Sequence, residues 1–116
     1  MPQPNDRLYD VAIVGAGPIG LELAVSFQRA GADYIIFDAG QIGQTFTRWP
    51  DQTEFFSTPE RIAIAGVPIP TIEQRRITAE HYLAYLRAVV EQFDIPLNTY
   101  EKVEAIERCN GGFELH

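Results

Sequence analysis

The stretch that decides the fold is Val11-Ala12-Ile13-Val14-Gly15-Ala16-Gly17-Pro18-Ile19-Gly20. The run from residue 9 to residue 14 is short, apolar and partly β-branched, which predicts a buried parallel strand. Its glycines have the spacing G-x-G-x-x-G, and helix-forming residues continue from Pro18 to about residue 30, where Gly31 is suited to end the helix. A strand, a glycine turn and a helix in this order form the context in which that spacing indicates a dinucleotide-binding turn.

Each residue of the turn has a physical role in that interpretation. Gly15 permits the tight turn off the strand, Gly17 lets a pyrophosphate approach the backbone, and Gly20 lets the helix lie close to the sheet. Pro18 gives up an N–H that has no partner in the first helical turn. The free N–H groups at the helix N-terminus attract phosphate. The expected phosphate-binding residues are therefore Gly15, Ala16, Gly17, Pro18, Ile19 and Gly20.

A second apolar strand is predicted at residues 34–37, and it ends at Asp38, 18 residues after Gly20. An acid about 20 residues beyond the glycines accepts hydrogen bonds from the ribose hydroxyls of a dinucleotide. A carboxylate there repels a 2′-phosphate, and residues 39–44 contain no lysine or arginine to hold one. NADP is disfavoured at this site, whereas FAD and NAD both remain. Ala39, beside Asp38, is included among the expected cofactor contacts.

The rest of the chain predicts a small α/β domain. Residues 39–76 form a long glycine- and proline-bearing loop, with short strands expected at residues 54–57 and 62–65. Thr78 is suited to cap a helix that runs to residue 93. A third strand is expected at residues 97–100, and a hairpin at residues 103–108 and 113–116. The apolar stripe of the helix is expected to consist of Leu83, Leu86, Val90 and Phe93, and the turn of the hairpin of Asn110, Gly111 and Gly112.

This order of elements predicts a Rossmann-like, doubly wound parallel sheet of the FAD/NAD(P)-binding type, with strand order 3-2-1, incomplete, and with a C-terminal β-hairpin. Residues 1–116 are expected to be a single dinucleotide-binding domain. Its open sheet edge predicts self-association.

The composition excludes several classes of function. A formal net charge of −7 disfavours binding to nucleic acid or to an anionic membrane. The chain has no apolar leader and no apolar run near the roughly 20 residues of a membrane span, so a cytoplasmic location is expected. The single cysteine, Cys109, can form no disulfide within the chain. No metal-ligand spacing is present, and no catalytic residue can be named.

Several segments beyond the glycines point to a known family. Residues 9–38, Arg48-Trp49-Pro50, residues 53–62 and Gly66-Val67-Pro68 resemble the FAD-binding N-terminus of thioredoxin-reductase-like and flavin-monooxygenase-like flavoproteins with two dinucleotide domains. They are most similar to the bacillithiol-disulfide-reductase-like branch. The glycine fingerprint is common to many enzymes, whereas the segment Phe55-Phe56-Ser57-Thr58 is more specific.

The resemblance implies further cofactor contacts. Gly43-Gln44-Thr45-Phe46 is similar to a Gly-Gly-Thr-Trp run that lies along the flavin side of the cofactor in related monooxygenases, which places Gln44, Thr45 and Phe46 there. Val103 would present its backbone to the adenine. Many FAD-binding members have Glu where this chain has Asp38, which keeps NAD open. Members of the bacillithiol branch can carry Cys where this chain has Ile19. Disulfide reduction through a thiol at this position is therefore not available here.

Two functions of different classes follow. In the first, an enzyme binds FAD at this fingerprint, takes hydride from NAD(P)H bound at a second fingerprint, and passes it to a disulfide or to oxygen. In the second, the chain is a non-catalytic dinucleotide-binding module or fragment, with NAD rather than FAD at the glycines. The 116 residues contain no second G-x-G-x-x-G, so we expect them to be the N-terminal part of a longer flavoprotein and to be inactive alone.

Overall fold

Two short parallel strands, joined by a helix, form the centre of the fold. The computed structural model of the chain describes residues 7–71 and 76–116. Within these residues the elements are, in order, β1 (Val11–Val14), α1 (Pro18–Arg29), β2 (Tyr34–Phe37), α2 (Gln44–Thr47), α3 (Pro59–Ile62), α4 (Ala79–Phe93), β3 (Leu97–Asn98), β4 (Ile106–Cys109) and β5 (Gly112–Leu115).

The parallel sheet has the order β1-β2-β3. Val11 pairs with Tyr34 and Ile13 with Ile36, and β3 adds the pairing of Ile36 with Leu97. This confirms the predicted α/β class, the Rossmann-like parallel sheet and the 3-2-1 strand order. The first strand is two residues shorter than predicted, and the third is reduced to Leu97–Asn98.

The helix α1 follows the prediction closely. It begins at Pro18 and ends at Arg29, and Gly31 after it has a φ of +75°, the left-handed conformation expected past a helix end. Leu21, Ala24 and Val25 are buried because they face the sheet and α4. The helix therefore extends directly from the glycine turn into the core.

The loop between β2 and α4 differs from the prediction. The strands expected at residues 54–57 and 62–65 are wrong: the first contributes a single bridge, Glu54 to Thr78, and the second a bridge between Ile64 and Val67. Two one-turn helices, α2 and α3, occupy part of the loop instead. Strand-like composition was misleading here because these segments pack on α4 and have no neighbouring strand.

Thr78 caps α4 as predicted, because its side-chain oxygen accepts a hydrogen bond from the backbone N–H of His81 at 3.2 Å. The buried face of α4 is only partly the predicted stripe. Leu86 is fully buried, but Leu83, Val90 and Phe93 are half-buried. The other deeply buried residues of the helix are Ala79, Tyr82, Tyr85 and Val89.

Two tyrosines can enter this core because their hydroxyl groups reach backbone partners. The hydroxyl of Tyr85 accepts from the N–H of Ile64 at 2.8 Å and donates to the carbonyl of Val67 at 2.5 Å. That of Tyr82 donates to the carbonyl of Ile62 at 2.7 Å. Burial raises the pKa of Tyr82 to about 12. These bonds attach the segment around residues 62–67 to α4.

The C-terminal hairpin is confirmed and lies apart from the parallel sheet. β4 and β5 pair only with each other, across Asn110 and Gly111, which both have positive φ. Gly112, predicted in the turn, is the first residue of β5, and β4 begins at Ile106 where the prediction had residue 103. Every residue of β4 is exposed. The Cα radius of gyration is 15.8 Å, larger than the roughly 13 Å of a compact domain of this length.

Candidate nucleotide-binding site

The glycine turn between β1 and α1 has the geometry that its sequence implies. Gly15 has a φ of +114°, which residues with a side chain rarely adopt. A Cβ at Gly20 would overlap the carbonyl oxygen of Gly15 and lie 2.9 Å from its carbonyl carbon. Both glycines are therefore required by the fold itself. At Gly17, an added Cβ would meet no protein atom within 4 Å.

Gly17 thus differs in kind from its two neighbours. Its φ of −86° and ψ of −171° are extended values that other residues adopt easily. Neither backbone conformation nor packing within the described residues requires a glycine here. The open side of Gly17 is available for close approach from outside, as a phosphate would need.

The N-terminus of α1 faces the same space and has no side-chain cap. Pro18 has no N–H, and within the described residues the N–H groups of Ile19 and Gly20 donate to no backbone carbonyl. Free N–H groups and the helix dipole together create a partial positive charge at such an end. This arrangement can bind an anionic group without a lysine or arginine.

Asp38, at the end of β2, holds the glycine turn from the adjacent strand. One carboxylate oxygen accepts a hydrogen bond from the N–H of Ala16 at 2.7 Å, and the other accepts from the N–H of Gly40 at 2.8 Å. A carboxylate has about four acceptor positions. Asp38 can therefore hold both loops and still accept hydrogen bonds from hydroxyl groups of a ligand.

Ala16 links the glycine turn to a second loop. It is completely buried, and its carbonyl accepts a hydrogen bond from the N–H of Gly43 at 3.1 Å. Gly43 has a φ of +63°, and a Cβ there would lie 2.7 Å from the side chain of Leu83. The sequence did not reveal this contact between the two loops. The only sequence signal for the contact was a second pair of glycines, Gly40 and Gly43, close after β2.

The residues expected on the flavin side lie in α2. The side chain of Gln44 accepts a hydrogen bond from the N–H of Gln41 at 3.0 Å, and Thr45 is exposed. The ring of Phe46 packs edge-on against Trp49 and against Tyr82, with centroid distances of 4.9 and 5.4 Å. The contact with Tyr82 joins α2 to α4, and Phe46 is half-buried between its aromatic neighbours.

The segment after β3 follows the outer side of the Asp38 loop. The N–H of Asp38 donates to the carbonyl of Asn98, the N–H of Tyr100 to that of Gly40 at 3.0 Å, and the N–H of Glu101 to that of Asp38 at 2.9 Å. Val103 is half-buried just beyond, and within the described residues its backbone makes no hydrogen bond to other backbone groups. Ala39 is exposed next to Asp38.

The structure thus brings together the glycine turn, Asp38 and the segment that leads to Val103. It places Gln44 and Phe46 in contacts within the protein. Within the described ranges there is no group of three or more His, Cys, Asp or Glu residues arranged to hold a metal ion. None of the helices described there is long and apolar enough to cross a membrane.

Comparison with known proteins identifies the family. A family model described as pyridine nucleotide-disulphide oxidoreductase matches residues 12–116. The chain belongs to this family. The resemblance to thioredoxin-reductase-like and monooxygenase-like flavoproteins is thereby confirmed, and the relatives below agree with it.

Bacilliredoxin reductase Bdr of Bacillus subtilis is 31% identical over 80 residues, which cover 69% of this chain and 24% of that protein. The structure of bacillithiol disulfide reductase Bdr from Staphylococcus aureus superposes with a TM-score of 0.88 at 28% identity, over 93% of this chain and 33% of that one. A mutant flavin monooxygenase from Stenotrophomonas maltophilia gives a TM-score of 0.84 at 25% identity, over 92% of this chain and 32% of that one. The chain thus spans about a quarter to a third of the length of these relatives.

Proposed function

We propose that this chain binds the ADP half of FAD in a flavoprotein oxidoreductase that takes hydride from NAD(P)H and passes it to a disulfide or to oxygen. Membership of a family of oxidoreductases supports the reaction class. Relatives named as a bacillithiol disulfide reductase and a flavin monooxygenase support the two acceptors.

The observation that carries the proposal is the uncapped N-terminus of α1 beside the open side of Gly17. A diphosphate placed there would accept hydrogen bonds from N–H groups that have no backbone acceptor in the described residues. Gly17 would allow the approach because no Cβ stands between the backbone and the ligand. The residues present therefore fit an ADP-containing group, with Gly15 to Gly20 as the expected phosphate contacts.

The placement of Asp38 supports a ribose beside that diphosphate. Its carboxylate lies one strand away and is already oriented by the N–H groups of Ala16 and Gly40. Oriented in this way, it would accept hydrogen bonds from ribose hydroxyls and would repel a 2′-phosphate. NADP should therefore bind this site more weakly than FAD or NAD.

The flavin supplies the hydride chemistry when it is bound, and the chain's own residues bind and orient its adenosine end. At the helix N-terminus the exposed residue is Ile19, 84% accessible, so no thiol stands there. A disulfide acceptor would need its thiol chemistry from another position.

Calorimetric titration of the 116-residue chain with FAD, ADP, NAD and NADP tests the proposal. FAD and ADP are expected to bind, and NADP to bind at least tenfold more weakly than NAD. Binding of NAD without FAD would favour the alternative of a NAD-binding module. Failure of all four ligands, with an intact circular dichroism spectrum, would refute nucleotide binding at this turn.

A further inference from the structure

Tyr100 combines a left-handed backbone conformation with an exposed aromatic ring. Its φ of +56° lies in the left-handed region, where an aromatic residue is rarely found. Its side chain is 71% exposed. A strained backbone and an exposed ring are both unfavourable in the chain by itself, and residues of this kind concentrate at ligand-binding positions.

The backbone around Tyr100 is held firmly beside Asp38. The N–H of Tyr100 donates to the carbonyl of Gly40 at 3.0 Å, and the next N–H, that of Glu101, donates to the carbonyl of Asp38 at 2.9 Å. Gly40 also donates its own N–H to the Asp38 carboxylate at 2.8 Å. Gly40 is therefore hydrogen-bonded both to Tyr100 and to the carboxylate of Asp38, the proposed ribose acceptor.

We infer that Tyr100 is a further ligand-binding residue of the proposed site, whose ring stacks on the adenine of the nucleotide. The inference rests on the proposed function. The hydrogen bonds from Tyr100 to Gly40 and from Gly40 to the Asp38 carboxylate place Tyr100 beside the position proposed for the ribose, to which the adenine is attached. No aromatic ring of the described residues packs on Tyr100, so its faces remain available for a base.

The left-handed conformation has a clear role in this arrangement. It allows two consecutive N–H groups, those of Tyr100 and Glu101, to reach the carbonyls of Gly40 and Asp38. The backbone of Tyr100 is consequently fixed by its own N–H and by that of Glu101. Stacking on an aromatic side chain also requires no hydrogen bonds, so the contact would add affinity without charge.

Three variants of the 116-residue chain separate this role from a structural one. Tyr100→Gly removes the ring and relieves the backbone, Tyr100→Asn removes the ring and keeps a residue that tolerates positive φ, and Tyr100→Phe keeps the ring. We expect Gly and Asn to weaken ADP and FAD binding about tenfold, within the range of base–aromatic stacking. The Phe variant should bind like the wild type. The melting temperature of the ligand-free Gly variant should equal or exceed that of the wild type.

Proton NMR of ADP gives a second readout that a structural role would not change. Stacking predicts upfield shifts of adenine H2 and H8 with wild type and Tyr100→Phe, and loss of these shifts with Tyr100→Gly and Tyr100→Asn. Unchanged affinity in the Gly and Asn variants would overturn the inference and leave the proposed function standing, as would weaker binding with a lowered melting temperature in both. If the wild type binds neither ADP nor FAD, the proposed function fails and the inference fails with it.

Discussion

Replacement of Gly17 by alanine should separate ligand binding from folding. An added Cβ meets no protein atom within 4 Å, and the φ of −86° and ψ of −171° suit alanine. A glycine replaced by alanine at a compatible conformation stabilises a protein by about 0.4–1 kcal/mol, because the unfolded chain loses freedom. The melting temperature of the ligand-free Gly17→Ala chain should therefore rise by a few degrees.

The same methyl group should weaken ligand binding. It would occupy the space in which the diphosphate must lie to reach the N–H groups of Ile19 and Gly20. Losing one hydrogen bond to a charged group costs about 1.5–3 kcal/mol, which corresponds to roughly 10- to 150-fold in Kd. Gly17→Val, with a larger and branched side chain, should abolish binding.

Gly20→Ala is the matched control, because it adds the same methyl group three residues later. Its Cβ would overlap the carbonyl oxygen of Gly15 and lie 2.9 Å from the carbonyl carbon. Such overpacking costs about 1–3 kcal/mol, so this variant should lose stability as well as binding. Gly17 and Gly20 thus have opposite expected effects on the melting temperature of the ligand-free chain.

The assay is thermal unfolding without ligand, combined with calorimetric titration of FAD and ADP for all three variants. Wild-type affinity of Gly17→Ala for both ligands would show that the ligand does not approach Gly17. A clearly lower melting temperature of Gly17→Ala than of the wild type would show that Gly17 has a structural role, which contradicts the prediction.

Four further predictions follow from the same structure. Asp38→Ala should weaken FAD and ADP binding by about 1.5–3 kcal/mol. It should also lower the melting temperature, because the N–H groups of Ala16 and Gly40 lose their acceptor. Unchanged calorimetric affinity for both ligands would leave Asp38 only a structural role. Tyr85→Phe should destabilise the chain by about 1–3 kcal/mol in urea unfolding, because the buried N–H of Ile64 loses its acceptor; an unchanged urea midpoint would contradict this. Burial raises the pKa of Tyr82 to about 12 from its ordinary value of 10. Between these pH values the unfolded chain binds fewer protons than the folded one, so stability should fall as pH rises. Tyr82→Phe should show a flatter decline in urea midpoints measured from pH 9 to 12. Finally, the 116-residue chain with saturating FAD should oxidise NAD(P)H no faster than free flavin does, and a protein-dependent rate on the order of 1 s⁻¹ would show otherwise.

Much of the fold could be predicted because the signals that specify it are local. The limits of β2 and the start of α1 follow from a short apolar run and from a glycine turn with proline in the first helical turn. The hairpin turn at Asn110 and Gly111 follows from residues that tolerate positive φ. In each case the information lies within a few adjacent residues, so no distant contact is needed to read it.

The segments that were mispredicted depend on contacts between distant residues. The residues around 54–57 and 62–65 have strand-like composition, yet they pack on α4. The ring of Phe55 contacts Tyr82, and the hydroxyls of Tyr82 and Tyr85 form hydrogen bonds with backbone groups of Ile62 and Ile64. The same contacts bury Tyr82 and Tyr85 more deeply than Leu83. Helical periodicity defines the possible faces of α4, but the neighbouring loop determines which of them is buried.

In the candidate site, too, some features follow from the sequence and others only from the tertiary structure. The sequence by itself determined the glycine turn and the acid after the second strand, because glycine spacing and a short apolar run can be read from adjacent residues. The order of the strands followed from the β-α-β order of the elements. Only the tertiary structure decided that Asp38 bonds Ala16, 22 residues earlier in the chain, and that Tyr100 is held against Gly40 in a left-handed conformation. Those arrangements arise where the ends of parallel strands meet, and residues far apart in sequence become neighbours only after the sheet has formed.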